Sequence, residues 1–585
     1  MSAKEELSGA EIVVRCLQEE GVEHVFGYPG GAVLYIYDAL FNQDKVKHVL
    51  VRHEQGAVHA ADAYARCSDK VGVCLVTSGP GVTNAVTGIA TAYLDSIPMV
   101  VLTGQVPTHA IGMDAFQECD TVGITRSVTK HNELVMSAQD LPRIIAEAFH
   151  IATTGRPGPV LVDVPKDVLQ ATMDWYWPDT IDLVGYRVQM TPDAVSVRRA
   201  AELILNAERP VLYVGGGVLK SRGAAALLEL AELCDIHVVT TLMARGAFSD
   251  DHRLALGMPG MHGNYTAVTA MQRSDLLINL GARFDDRVTG KVAGFAPDAK
   301  IIHADIDPAE HGKVRRPDVA LVGDCRITIE ELVRAIRDLM AGGATFADRA
   351  AWKQTISGWR ENFPLTYDQP LAGDSLKPQM VMEHLRDSVP HDTILVSGVG
   401  QHQMWASQYW KFRHPYTWVN SGGLGTMGFA VPAAIGAKVG CPDKMVWAVD
   451  GDGCFQMTNQ ELTTAAIERI PVKVAILNNS YLGMVRQWQE MFYDERYSEV
   501  YLSPELPDFV KLAEAMGCVG IRVDSPEEIQ PAIDKANDIN DRPVVVDFRT
   551  DEAEKVFPMV AAGLSNDQVE VHPSQRERLA RERAK

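Results

Sequence analysis

The order of apolar runs and helical patterns predicts an α/β protein built from three doubly wound parallel-sheet domains. Short β-rich runs alternate with helix-period stretches along the chain: "VGVCLVTSGPG", "IPMVVLTGQ", "GPVLVDVP", "RPVLYVGGG", "DLLINLGARFDDR", "DTILVSGVG" and "PVKVAILNN". Nearly all of them end in Gly, Ser, Thr, Asp or Asn, placing small polar groups at strand carboxyl ends, where open parallel sheets gather ligands. Two stretches break the alternation: 173–194 has no clear periodicity, and 357–375 is polar with prolines. They divide the chain into 1–185, 186–365 and 366–550, followed by a tail, 551–585. The tail closes on "PSQRERLARERAK", whose mixed charges fit a solvated helix or a disordered end.

The bulk numbers exclude several function classes. With 46% hydrophobic and 22% charged residues, 585 residues suffice for several cored domains. A formal charge of −21 repels phosphate backbones, so no nucleic-acid partner is expected. Nine scattered cysteines without a CxxC pair favour a reducing compartment over a disulfide framework or zinc site. The N-terminus lacks an apolar signal core; Ser8 and Glu11 have capping-box spacing instead, and Gly21 sits where that helix would stop. The most apolar long window, "GLGTMGFAVPAAIGAKVG", contains Pro432 and is too short to span a bilayer. A cytoplasmic protein with no membrane contact is the expectation.

The chemistry begins at "VWAVDGDGCFQM", an apolar strand running into acids interleaved with glycines. An Asp-Gly turn alone would explain it. Next comes "TNQELTTAAIERIP", with Thr458 and Glu461 at capping-box spacing and Pro471 after the helix. A second strand, "VKVAILNN", ends in Asn478 and Asn479. Strand–helix–strand implies parallel strands with carboxyl ends on one edge, so Asp452 and Asn479 converge. A carboxylate and an amide oxygen are hard ligands that suit Mg2+, and Mg2+ keeps part of its shell for substrate phosphates. Gly451 and Gly453 let backbone amides approach a diphosphate.

"GDG" followed at this distance by "NN" resembles the signature of thiamine-diphosphate-dependent enzymes. The resemblance implies Asp452, Asn479 and the backbone carbonyl of Tyr481 as Mg2+ ligands. "RHEQGA" resembles the context of that family's catalytic glutamate, here Glu54. A carboxylate on the pyrimidine N1′ stabilises the imino tautomer that lets the cofactor's own amine act as base. By position alone Glu54 reads first as an acid at a helix N-terminus, favoured by the helix dipole. Implied thiamine diphosphate contacts on the N-terminal side are Tyr28, Pro29, Gly30, Glu54, Thr77, Pro80 and Asn84. On the C-terminal side they are Val399, Gly400, Gln401, His402, Gly425, Met427, Asp452, Gly453, Cys454, Asn479, Tyr481, Leu482, Gly483, Met484 and Val485. Met427 would prop the cofactor in its bent conformer; a plain core methionine is the alternative. In that family the glutamate and the metal motif come from different subunits, which implies a homodimer or homotetramer.

The middle block opens "RPVLYVGGGVLKSRG", a strand, glycine turn and helix, but Lys220 replaces the third glycine of a dinucleotide fingerprint and no acid ends "HVVTT". The ordered set "MHG", "GARFDDR", "HADIDPAE" and "GDCR" resembles the FAD-binding middle domain of acetohydroxyacid synthases. Implied FAD contacts are Arg156, Gly215, Gly216, Gly217, Thr240, Thr241, Leu242, Gly257, Met258, Met261, His262, Gly281, Arg283, Asp285, Arg287, Asp305, Ile306, Asp324 and Cys325. Salt bridging of Arg283 and Arg287 with Asp285 and Asp286 is the competing explanation for those arginines.

Across the whole chain, "FGYPGGAVL", "LTGQVP", "DAFQE", "GRPGPVLVDVPKDV" and "LGMVRQWQEMFY" occur in that family's order, so the chain is similar to acetohydroxyacid (acetolactate) synthase large subunits. The resemblance implies decarboxylating condensation of two pyruvate to 2-acetolactate, or of pyruvate with 2-oxobutyrate to 2-aceto-2-hydroxybutyrate, toward valine, leucine and isoleucine. It implies a pyrimidine-binding domain in 1–185, a FAD domain in 186–365, a diphosphate- and Mg2+-binding domain in 366–550 and a tail over the active site in 551–585. FAD would be structural. Gly31, Ala32, Phe116, Gln117, Lys166, Met484 and Trp488 would line the substrate pocket, and a separate small regulatory subunit is implied. The alternatives are pyruvate oxidase, another FAD-containing thiamine diphosphate decarboxylase or carboligase, and a non-enzymatic cofactor-binding scaffold.

Overall fold

The computed structural model describes residues 5–370 and 373–584. Three six-stranded sheets carry the molecule, and every strand pairing within them is parallel. Their central strands are apolar on both faces, as helix-covered sheets require: Met99–Gln105, Pro159–Pro165 and Lys473–Asn478 are buried at every position. Counted within each sheet, the first and last share the order 2-1-3-4-6-5, while the middle one runs 3-2-1-4-5-6, the order of dinucleotide-binding sheets.

In each sheet the winding reverses between two adjacent strands, and the turns after those strands form a crevice. The reversal lies between His24–Tyr28 and Gly72–Val76, between Pro210–Val214 and Leu276–Leu280, and between Ile394–Ser397 and Val446–Gly451. The turns that follow hold Gly30 and Thr77, Gly215–Gly217 and Arg283, and Gly400 and Asp452. Topology therefore delivers all three predicted site regions to reversal points.

The alanine-rich helix Glu54–Ser68 packs on the helix Ala430–Gly440, joining the first sheet's layer to the last. The approach is close: a Cβ on Gly436 would lie 1.8 Å from the Ala60 carbonyl oxygen. The Ser8/Glu11 capping box forms, and Gly21 follows that helix with φ +69°. All nine cysteines are free thiols. Among the described residues no helix is long and apolar enough to cross a membrane.

Two local expectations fail. The helix Ala350–Asn362 runs through the first part of the 357–375 joint, because Trp352, Ile356 and Trp359 give it a buried stripe; Leu371 and Ala372 of that joint lie outside the described residues. Thr458 and Glu461 form no capping box. The helix starts at Glu461, whose carboxylate instead accepts from the backbone N–H groups of Arg52 and His53 in the N-terminal layer, at 2.9 and 3.0 Å.

Candidate active site

On the N-terminal side, Glu54 opens its helix as a 9% exposed carboxylate and accepts a 3.0 Å hydrogen bond from Asn84 Nδ2. Thr77 sits beside it, its buried hydroxyl without a hydrogen-bond partner among the described residues. A Cβ on Gly81 would lie 2.8 Å from Thr77 Cγ2 and 3.7 Å from Glu54 Oε1; one on Gly30 would strike the Thr77 side chain at 2.5 Å. Tyr28 and Pro29 lead into that turn, and Pro80 is the first residue of the helix Pro80–Asp95. Gln117 reaches this cluster through its backbone: Gly79 holds φ +57° against it, with room for no side chain. Phe116 beside it is 89% exposed, and Lys166 Nζ lies 5.9 Å from the Tyr35 ring centre. Gly31 and Ala32 follow Gly30 on the same edge.

On the C-terminal side, Asp452 and Asn479 follow adjacent parallel strands, as the motif spacing requires. Asp452 is 3% exposed, and among the described residues no cation lies within ion-pair distance of it. Burial pushes its carboxyl up to about 7, a cost that a bound cation would relieve. Asn479 donates from Nδ2 to Gln401 Oε1 at 3.2 Å, which turns Oδ1 the other way, toward the Tyr481 N–H. These donors fit Mg2+. The glycines around them are tight: a Cβ on Gly483 would lie 2.0 Å from Gln401 Oε1, and one on Gly453 would lie 2.8 Å from Leu482 Cδ2. Met427 reaches this turn, its Cε 3.9 Å from the same Gly453 position. Leu482 begins the bend into the helix Gly483–Phe492, which carries Met484, Val485 and Trp488.

Beneath the turn, His402, Asp450 and Cys454 meet with their polar atoms within 4.8 Å of one another, all buried. Burial holds His402 neutral, pushing it down to about 3. His402 and Cys454 therefore stand beside the Gly451 turn, where a Cβ on Gly451 would lie 2.8 Å from His402 Nδ1.

The middle sheet's crevice opens into a cavity of about 1050 Å3. Its lining includes Arg156, Gly215, Gly216, Gly217, Thr241, Leu242, Met258, Met261, His262, Gly281, Arg283, Asp285, Arg287, Asp305, Ile306, Asp324 and Cys325, and it continues to Val399, Gly400, Gly425, Met484 and Trp488. Two expected members are absent. Thr240 turns its hydroxyl to Arg245 (2.9 Å), and Gly257, at φ +84°, lies against the Asn264 side chain. The glycine turn is built for close approach, since a Cβ on Gly215 would lie 2.2 Å from the Gly281 carbonyl oxygen. Arg283 and Arg287 pair with Asp285 and Asp286 at 3.9 and 3.7 Å, as the competing salt-bridge explanation has it, though beyond hydrogen-bond distance. The size, glycine turn and guanidinium forks fit a dinucleotide such as FAD.

Within one chain these groups form two separate clusters. Glu54, Thr77, Asn84, Phe116, Gln117 and Lys166 follow strands of the first sheet, whereas Asp452 and Asn479 follow strands of the last; of the residues near them, Met484 and Trp488 line the middle cavity, which none of the first group does.

Three family models match, in this order: thiamine pyrophosphate enzyme, N-terminal TPP binding domain, over residues 7–124; central domain, over 197–332; and C-terminal TPP binding domain, over 398–548. The acetolactate synthase large subunit of Corynebacterium glutamicum is 57% identical over 572 residues, covering 97% of this chain and 91% of that protein. The acetolactate synthase isozyme 3 large subunit of Escherichia coli is 47% identical over 576 residues, covering 98% of this chain and 100% of that protein. The chain belongs to the acetolactate synthase family of thiamine pyrophosphate enzymes. The acetolactate synthase of Mycobacterium bovis is likewise 57% identical, over 571 residues, with 97% of this chain and 92% of that protein covered.

Sequence reasoning missed several residues of this acetolactate synthase family site. Gln487 is the one buried residue of the helix Gly483–Phe492, set in the stripe between Met484 and Met491; a polar residue in an apolar stripe was the available signal. Glu461 could not be found this way, because its partners lie in another domain. Lys220, noticed as a broken fingerprint, lines the cavity beside Asp95 and Ser96.

Proposed function

We propose that this chain is the catalytic subunit of an acetolactate synthase, condensing two pyruvate to 2-acetolactate and CO2, or pyruvate with 2-oxobutyrate to 2-aceto-2-hydroxybutyrate. Full-length identity to acetolactate synthase large subunits carries the reading, and the placement of Glu54, Asp452 and Asn479 accords with it. Bound thiamine diphosphate supplies the electron sink that decarboxylation of a 2-oxo acid needs. Glu54 holds a proton at the pyrimidine end, with Asn84 orienting its carboxylate. Asp452, Asn479 and the Tyr481 carbonyl would hold Mg2+, and Met427, whose Cε reaches the Gly453 turn, would support the cofactor. Gly215–Gly217, Arg283 and Arg287 in the middle cavity would hold FAD as a structural group, since the net reaction transfers no electrons. Trp488 and Met484 wall the acceptor pocket, where one added methylene is worth about 1–3 kcal/mol of discrimination.

The reading takes 1–185, 186–365 and 366–550 as the pyrimidine, flavin and diphosphate domains. The tail from 551 crosses the site: Val560 N–H donates to the Met261 carbonyl, and Ala562 lines the cavity. A second chain supplies the other half of each site in a homodimer or homotetramer, and the large-subunit names of the relatives fit a separate small regulatory subunit. A cytoplasmic setting agrees with nine unpaired thiols.

Incubation with Mg2+, thiamine diphosphate, FAD and equal pyruvate and 2-oxobutyrate, followed by mass spectrometry, tests the reaction. Acetohydroxybutyrate in excess over acetolactate is expected. Acetate or acetyl phosphate with flavin bleaching would replace the reading with pyruvate oxidase chemistry.

A further inference from the structure

Asn479 can ligate a cation only through Oδ1, so its amide must not flip. The oxygen and NH2 ends of that amide are nearly the same in shape, and an isolated asparagine turns freely between the two orientations. In this chain the orientation is set from a distance. Asn479 Nδ2 donates to Gln401 Oε1 at 3.2 Å. Gln401 Nε2 in turn donates to Gln487 Oε1 at 2.9 Å and to the Glu554 carbonyl at 3.1 Å. Gln487 closes the series on the backbone of Val556: its Oε1 accepts from the Val556 N–H at 2.9 Å, and its Nε2 donates to the Val556 carbonyl at 3.2 Å.

A backbone N–H can only donate and a backbone carbonyl can only accept, so Val556 dictates which end of Gln487 is oxygen. That fixes Gln401, and Gln401 fixes Asn479. All four residues are buried: Gln487 is 1% exposed, Gln401 5%, Asn479 7% and Val556 0%. Water therefore offers none of them an alternative partner, and a reversed amide would leave donor against donor. Gly483 seals the arrangement, since a Cβ there would strike both Gln401 Oε1 (2.0 Å) and Asn479 Nδ2 (2.6 Å).

We propose that Gln487 is a positioning residue: through Gln401 it reads the docked segment around Val556 and holds Asn479 with its oxygen toward the metal. The segment 551–556 is anchored independently by Lys377 on Asp551 (2.8 Å) and Glu554 (2.6 Å), and by Arg486 on the Glu552 carbonyl (2.7 Å). Docking of this segment and cation binding are thus one linked event. The inference rests on the metal-site reading above.

The test measures thiamine diphosphate binding by calorimetry as a function of Mg2+ in the purified full-length protein. Removing the hydrogen-bond partner behind a metal ligand typically lowers metal affinity ten- to hundredfold. Gln487→Leu should raise the Mg2+ concentration for half-maximal binding by about that factor, with full stoichiometry regained at high Mg2+. An unchanged Mg2+ requirement would overturn the relay. A wild-type measurement decides the matter if the variant does not fold: hydrogen exchange of peptides spanning 551–560 should slow when Mg2+ and thiamine diphosphate are added, and identical exchange would overturn the linkage. Asp452→Ala, run alongside, should lose Mg2+-dependent binding. Retention there would overturn the metal site itself, whereas loss there with an unaltered Gln487→Leu overturns the relay alone.

Discussion

In the proposed reaction Glu54 carries the most chemistry for the fewest contacts. Among the described residues its one side-chain hydrogen-bond partner is Asn84, which leaves one oxygen for the pyrimidine end of a cofactor. Glu54→Gln keeps the shape and the Asn84 contact but loses the negative charge, so turnover should fall by at least a hundredfold while thiamine diphosphate binding by calorimetry persists. Near-normal turnover would remove the assignment. Gly483 makes a steric counterpart: Gly483→Ala drives a Cβ into Gln401 and Asn479, and Mg2+-dependent cofactor binding should weaken with little change in melting temperature. Residues of this kind were legible where a short motif holds both partners. Asp452 and Asn479 belong to one strand–helix–strand unit, so spacing alone predicts their convergence. Glu461 was misread because its local signal, the spacing to Thr458, matches a capping box, while its actual partners, Arg52 and His53, are four hundred residues away.

Helices and strands were read more securely than the contacts between them. Apolar runs became parallel strands because burial on both faces leaves no room for alternation. The stripe of small residues on Glu54–Ser68 is different: as a pattern it fits close packing around a ring, yet it packs against Ala430–Gly440. Glu461 reinforces that join, and burial pushes its carboxyl up to about 7, from an ordinary 4.5. The folded chain therefore holds this proton more readily than the unfolded chain, and the stability associated with it is lost as pH rises from about 4.5 to about 7. Glu461→Gln should flatten the decline of melting temperature across that window; parallel curves would contradict the assignment. Arg349 performs a similar task in the middle domain. Its guanidinium donates to the carbonyls of Ile204, Ala207 and Cys234 at 2.5, 2.9 and 2.6 Å, satisfying the ends of two helices. Arg349→Met should cost about 3 kcal/mol in denaturant unfolding of the middle domain.

Taken whole, the described residues line a cavity of about 1050 Å3 in the middle of the chain, while Glu54 and the Asp452–Asn479 pair follow strands of two different sheets. Large apolar side chains stand exposed, including Phe41 at 88%, Met113 at 72% and Phe116 at 89%, two of them in the segment beside the Glu54 cluster. A second chain laid on that edge would cover them and bring its own metal turn to Glu54. Strand ends rich in Gly, Ser, Thr, Asp and Asn made ligand sites at strand carboxyl edges foreseeable, whereas the strand orders that set the reversal points were not; the proposed division of the site between chains comes only from the resemblance, because no single-chain pattern encodes a neighbour's position. Co-expression of Glu54→Gln and Asp452→Ala chains tests this directly, with acetolactate formation as the readout. Each mixed dimer would hold one intact site, so random pairing should restore about a quarter of the wild-type activity although either variant alone has almost none. Mixed protein as inactive as its parents would show that each chain must complete its own site, and would contradict the account.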